Sequence, residues 1–62
     1  MSEQKWRHIS EGLPPERVVV QTKIDDSDGL RNEAALKFMS NLWWFPDGSM
    51  YVYYRPTHWR PL

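Results

Sequence analysis

Residues 32–41 read Asn-Glu-Ala-Ala-Leu-Lys-Phe-Met-Ser-Asn, and the reading of this stretch decides the fold class. Two patterns compete in it. Glu33, Ala34, Ala35, Leu36, Lys37 and Met39 are good helix formers, and Asn32 can cap a helix. Yet Ala34, Leu36 and Phe38 alternate with Ala35, Lys37 and Met39, which is the period of a strand. Ser40-Asn41 then reads as a tight turn. The helix gives an α+β domain, and the strand gives a mainly β one. Propensity taken alone leans to the helix.

The flanking segments are less divided. Downstream, residues 42–55 read LWWFPDGSMYVYYR. Pro46 suits the first central position of a type I turn, Asp47 the second, and Gly48 the left-handed position that follows. Aromatic and β-branched residues stand on both sides. The expectation is a hairpin of Leu42–Phe45 against Met50–Arg55. Met50, Val52 and Tyr54 share one face of it, and Tyr51, Tyr53 and Arg55 the other. Pro56 ends the second strand because it cannot donate to a ladder.

Upstream, RVVVQTKID (Arg17–Asp25) is a strand with Val20, Thr22 and Ile24 on one face. The residues after it, through Gly29, form a loop by composition. An EF-hand reading of this acidic loop fails. With Gly29 as the loop glycine, Ile24 takes the first ligand position and Ala35 the twelfth. Pro14-Pro15 forbid a continuous helix nearer the start and bias Leu13 to an extended form. Residues 1–5 are expected to fray.

The chain has 62 residues, no cysteine, and four Trp, three Tyr and two Phe. So short a domain buries only about 60% of the surface its unfolded chain exposes, and a lone core of this size supplies about 3–5 kcal/mol. Disulfides and thiolate metal sites are absent. His8 and His58 lack a ligand-like spacing, so no metal and no cofactor is expected. Each aromatic can bury about 150–250 Å². Nine of them exceed what one small core hides, which points to an aromatic face given to a partner.

Eight basic residues balance eight acidic ones. That balance makes a phosphate-driven nucleic-acid binder unlike this chain. The longest apolar run falls far short of the roughly 20 residues of a membrane span. The stretch MSEQKWRH lacks an apolar signal core, so a cytoplasmic protein is expected.

The pieces together resemble a family. Trp6 with Ile9, Leu13-Pro14, Val18-Val19-Val20, Trp43-Trp44, and a closing Thr57-His58-Trp59 with Pro61-Leu62 resemble the small phage- and prophage-encoded proteins grouped as domain of unknown function 551. The resemblance spans residues 6–62. Glu16 departs from it, since similar sequences often carry Gly there, and they commonly run a few residues past the Pro-Leu. The resemblance implies a phage or prophage origin and a compact, mostly β domain, and it implies no reaction. It also tips residues 33–39 to a strand. The expected fold is therefore mainly β, a small antiparallel sheet of three to four strands with at most one short helix.

The residue assignments follow. Trp6, Leu13, Val18, Val20, Trp44, Val52 and Trp59 are expected as structural anchors, with Trp6 and Trp59 packing on each other or across one sheet. Prolines restrict the closing tail and reduce the entropy lost when Trp59 docks. Trp43, Phe45, Tyr51, Tyr53, Arg55, His58 and Arg60 are the expected partner-binding residues, because Tyr, Trp and Arg dominate interface hot spots. A catalytic use of His58 lacks a nucleophile motif or phosphate loop beside it. The expected function is a protein-interaction module without catalysis, with a second copy in a homodimer as one candidate partner. The alternative is a weak single-stranded nucleic-acid binder that stacks bases on an aromatic and Arg platform.

Overall fold

The computed structural model describes residues 5–62, so residues 1–4 of the segment expected to fray lie outside it. Five strands form one sheet: β1 (Arg7–His8), β2 (Val19–Asp26), β3 (Gly29–Met39), β4 (Leu42–Trp44) and β5 (His58–Pro61). Their order is β1-β5-β2-β3-β4, and every pairing is antiparallel. A 3-10 turn over Ile9–Glu11 is the only helical element among the described residues. The domain is mainly β, and its sheet has five strands where three to four were expected.

Residues 33–39 are strand despite their helix-forming composition. Tertiary pairing overrides propensity here. Leu36 lies opposite Val20, and Ala34 opposite Thr22, so the alternating apolar set of β3 meets the alternating set of β2. Asn32 caps nothing. It sits at φ 57 where the register shifts between Thr22 and Ile24. Asn32 and Glu33 together oppose Lys23, which is a β-bulge with a residue that tolerates left-handed backbone. Ser40 and Asn41 have φ of 53 and 63, both left-handed, as a two-residue hairpin turn requires. The β2–β3 turn is closed by Asp26, whose carboxylate accepts the Asp28 N–H at 3.0 Å and both Arg31 guanidinium nitrogens, at 2.9 and 3.2 Å. The Arg31 hydrogen bond, helped by the Asp28 amide, holds the Asp26 carboxyl below its ordinary range.

One face of the sheet carries the core: Val20, Leu36, Phe38, Trp43 and Trp59. Thr22 is buried among them, and its hydroxyl donates to the Ala34 carbonyl at 2.8 Å. The cover is not a helix or a second sheet. Two irregular segments cross this face. The first, between β1 and β2, contributes Ile9 and the buried Pro14, and its Arg17 N–H donates to the Phe38 carbonyl at 3.0 Å. The second, residues 45–57, runs from β4 back to β5 and lays Val52, Tyr54 and Pro56 against the core. Burial pushes the Tyr54 hydroxyl up from its ordinary pKa.

Four expectations are corrected. β2 starts at Val19, not Arg17, because Arg17 adopts φ 71 and breaks the extended run. Val18 is therefore 47% exposed and Leu13 is 50% exposed, so neither anchors the core. Pro14 takes the place assigned to Leu13, because the crossing segment turns that side inward. The hairpin exists, with the Gly48 N–H donating to Phe45 at 2.8 Å and the Val52 N–H to Trp43 at 2.8 Å. Its second arm leaves the sheet after Val52, short of Arg55, because it must cross the core face to deliver β5. Trp6 and Trp59 do not pack on each other. Trp59 faces the core, whereas Trp6 lies with Arg60 on the opposite, open face.

Candidate interaction surfaces

The open face and the β4 edge carry the remaining aromatic and charged side chains, in two groups. The first group sits on the β4–β5 connection. Phe45, Met50, Tyr51 and Tyr53 are all exposed, Tyr53 to 88%. They surround a hollow of about 300 Å³ floored by Val52 and Tyr54. The rings order each other edge to face. Trp44 and Tyr51 centroids are 5.4 Å apart, and Tyr51 and Tyr53 centroids 5.5 Å. The turn that presents them is held by Asp47, whose carboxylate accepts the Ser49 N–H at 3.0 Å and is held below its ordinary pKa chiefly by that bond. Arg55 is exposed beside Tyr53 at a second, smaller hollow.

The second group lies across β1, β5 and β2. His8 opposes His58, and His58 opposes Lys23. Successive strands in a sheet lie about 4.8 Å apart, so these three form a row on one face. The imidazole centroids of His8 and His58 are 5.0 Å apart. Trp6 lies with its ring 4.3 Å from Lys23 Nζ and 4.8 Å from the Arg60 guanidinium carbon. Each such contact is worth about 0.5–1 kcal/mol at an exposed site.

The expected partner-binding residues are thus divided. Phe45, Tyr51 and Tyr53 come together, with Arg55 near them. His58 and Arg60 lie on β5, with β2 and β3 between them and β4. An aromatic and Arg platform that joins Tyr51 and Tyr53 to Arg60 does not form. Trp43 is no surface residue. It is 3% exposed and packs against Phe38 with centroids 5.1 Å apart. Trp44, assigned to the core, is instead half-buried on the open face, its indole N–H donating to the Met39 carbonyl at 2.9 Å. The signal for this was in the turn. A two-residue turn at Ser40-Asn41 pairs Met39 with Leu42 and Phe38 with Trp43, which sends Trp43 inward with Phe38. Met50 and Trp6 belong to the two surfaces, and the pairing of His8 with His58 depends on long-range topology that no local pattern contains.

Among the described residues no group of three or more His, Asp or Glu side chains gathers in a way that could hold a metal ion. No helix among them is long and apolar enough to cross a membrane. No protein-family model matches the chain, and neither the curated proteins nor the solved structures contain a detectable relative.

Proposed function

We propose that the protein acts by binding, as an interaction module that docks through Phe45, Met50, Tyr51 and Tyr53, and that its partner on this surface is a second copy of the chain. The observation that carries this reading is the concentration of four exposed apolar or aromatic side chains around one hollow in a 62-residue protein. Tyr and Met are over-represented in interface cores, and charged residues are depleted there. The hollow is lined without a charged residue. A partner must match that character, and a two-fold contact of the patch with itself does so.

The reading includes no catalytic step. It extends to an accessory protein of phage or prophage origin, a part that rests on the sequence resemblance alone, and to a cytoplasmic location, in keeping with the short apolar runs of the sequence. Sedimentation velocity at several concentrations tests the docking. The parent chain sediments as a dimer at high micromolar concentration, and Tyr53→Lys and Phe45→Lys sediment as monomers with unchanged melting. A parent that stays monomeric at high micromolar concentration sinks the proposal.

A further inference from the structure

We infer that the row His8, His58 and Lys23, with Arg60 and Trp6 beside it, is a binding site for a phosphate group. The argument begins with the histidine tautomers. His8 Nδ1 accepts the Ser10 N–H at 3.1 Å, so that nitrogen holds a lone pair and the ring proton sits on Nε2. Thr57 Oγ1 accepts the Asp25 N–H at 2.8 Å and lies 2.7 Å from His58 Nδ1. Its hydroxyl proton has two possible acceptors, His58 Nδ1 at 2.7 Å and the Lys23 carbonyl at 3.5 Å. The Lys23 carbonyl already receives the Thr57 N–H at 2.9 Å. His58 Nδ1 is engaged by the Thr57 hydroxyl, whichever of the two carries the proton between them. Each ring has its Nδ1 engaged by a neighbour, and His8 carries its donor N–H on Nε2. The His8 Nε2–H, with the cations beside it, suits an oxyanion.

The surroundings agree. Lys23 and Arg60 are held in place by the Trp6 ring, so their charges are positioned before any ligand arrives. Among the described residues the one acidic partner in contact with them is Asp25, 3.6 Å from Lys23 Nζ. The donors are the His8 N–H, an ammonium and a guanidinium, with the His58 ring beside them. A phosphate has the oxygens and charge to accept from several of them at once. Trp6 is partly exposed next to these donors, so a base carried on the phosphate comes close to its indole.

Two-dimensional NMR at low salt tests the site in the intact protein. The titrants are inorganic phosphate, adenosine monophosphate and a 12-mer of deoxythymidine. The expected result is saturable shifts of the His8 and His58 ring protons and the Trp6 indole N–H, with Trp43 and Trp59 unmoved. Phosphate and the nucleotide binding alike mark a free-phosphate site. A nucleotide preference lost in Trp6→Leu marks a base-bearing ligand, and a strand preference lost with added salt marks a single strand. Lys23→Met and His58→Leu weaken whichever ligand binds at least about 10-fold, whereas His58→Gln, which places a donor near Nε2, restores most of it. The inference is overturned by three results: no saturable shift with any titrant, shifts confined to Tyr51 and Tyr53, or parent-like binding in a folded Lys23→Met variant.

Discussion

Trp59 and Trp6 are the same residue type on opposite faces of one sheet, and truncating each to alanine separates core burial from surface stacking. Trp59 is 7% exposed, and its indole N–H donates to the Gly12 carbonyl at 2.8 Å. A buried Trp removes up to about 250 Å² from water. At about 25 cal/mol per Å² that bounds its contribution near 6 kcal/mol. Measured Trp-to-Ala truncations in cores cost about 3–5 kcal/mol, and the lost hydrogen bond adds about 1 kcal/mol. A domain held by about 3–5 kcal/mol in total then has no stable fold left. Trp6 makes two cation–π contacts on a half-exposed face, so Trp6→Ala costs about 1–2 kcal/mol. Trp59→Phe keeps a ring in the core and falls between the two. Urea unfolding followed by far-UV circular dichroism reads all three. Trp6→Ala moves the midpoint by about 1–2 M with a slope near 1 kcal/mol/M, and Trp59→Ala has no folded baseline. A Trp59→Ala protein that unfolds at the parent midpoint, or a Trp6→Ala protein less stable than it, refutes the assignment of faces.

Arg17 is an exposed L-residue at φ 71, and Arg17→Gly relieves about 1–2 kcal/mol of backbone strain against about 0.5–1 kcal/mol of added unfolded-chain entropy. The net is a small rise in melting temperature, measured by calorimetry; a fall means that the Arg17 side chain holds the crossing segment. Gly48 sits at φ 75, and a Cβ there meets Lys37 Nζ at 3.4 Å, so Gly48→Val lowers stability by about 2 kcal/mol in urea unfolding. The Asp26 carboxyl has a lowered pKa, so its contribution is complete above the ordinary carboxylate pKa and fades as pH falls through the folded value. Asp26→Asn flattens that acid limb in melts taken from pH 5 down to 2. Tyr54 has the opposite sign of effect. Its raised pKa makes stability fall as pH climbs past about 10, and Tyr54→Phe removes that alkaline loss.

Much of the sheet was legible because short-range chemistry dictates it. Val20, Thr22 and Ile24 carry the strand period of β2 openly. Pro46-Asp47-Gly48 and Ser40-Asn41 mark their turns by the φ values they demand. Residues 33–39 were ambiguous for a physical reason. Helix propensity and strand alternation coexist there, and only the match of Ala34 and Leu36 to Thr22 and Val20 across the sheet decides between them. Trp43 and Trp44 were exchanged because a one-residue change of parity inverts every face, and the parity is set by the turn that precedes them. Leu13 and Val18 look like core residues by composition, but they lie in a segment whose path depends on the Arg17–Phe38 bond and not on its own pattern. The site beside His58 was the least legible. His8 is 50 residues from His58 in the chain, and their opposition is a property of strand order alone.

The order β1-β5-β2-β3-β4 also sets a sequence of events in time. β2, β3 and β4 are joined by two short turns, and their pairing closes only small loops. β5 reaches β2 only after residues 45–57 have swung across the core face, and β1 has no place to dock until β5 is seated. Distant pairings of this kind slow folding relative to local ones. The same hierarchy runs backwards in the native state, where the cheapest opening is the release of β1 alone. Amide hydrogens at Arg7 and His8 exchange first, those that join β2 to β3 exchange last, and His8 on β1 therefore comes and goes beside His58 while the rest of the sheet stays shut.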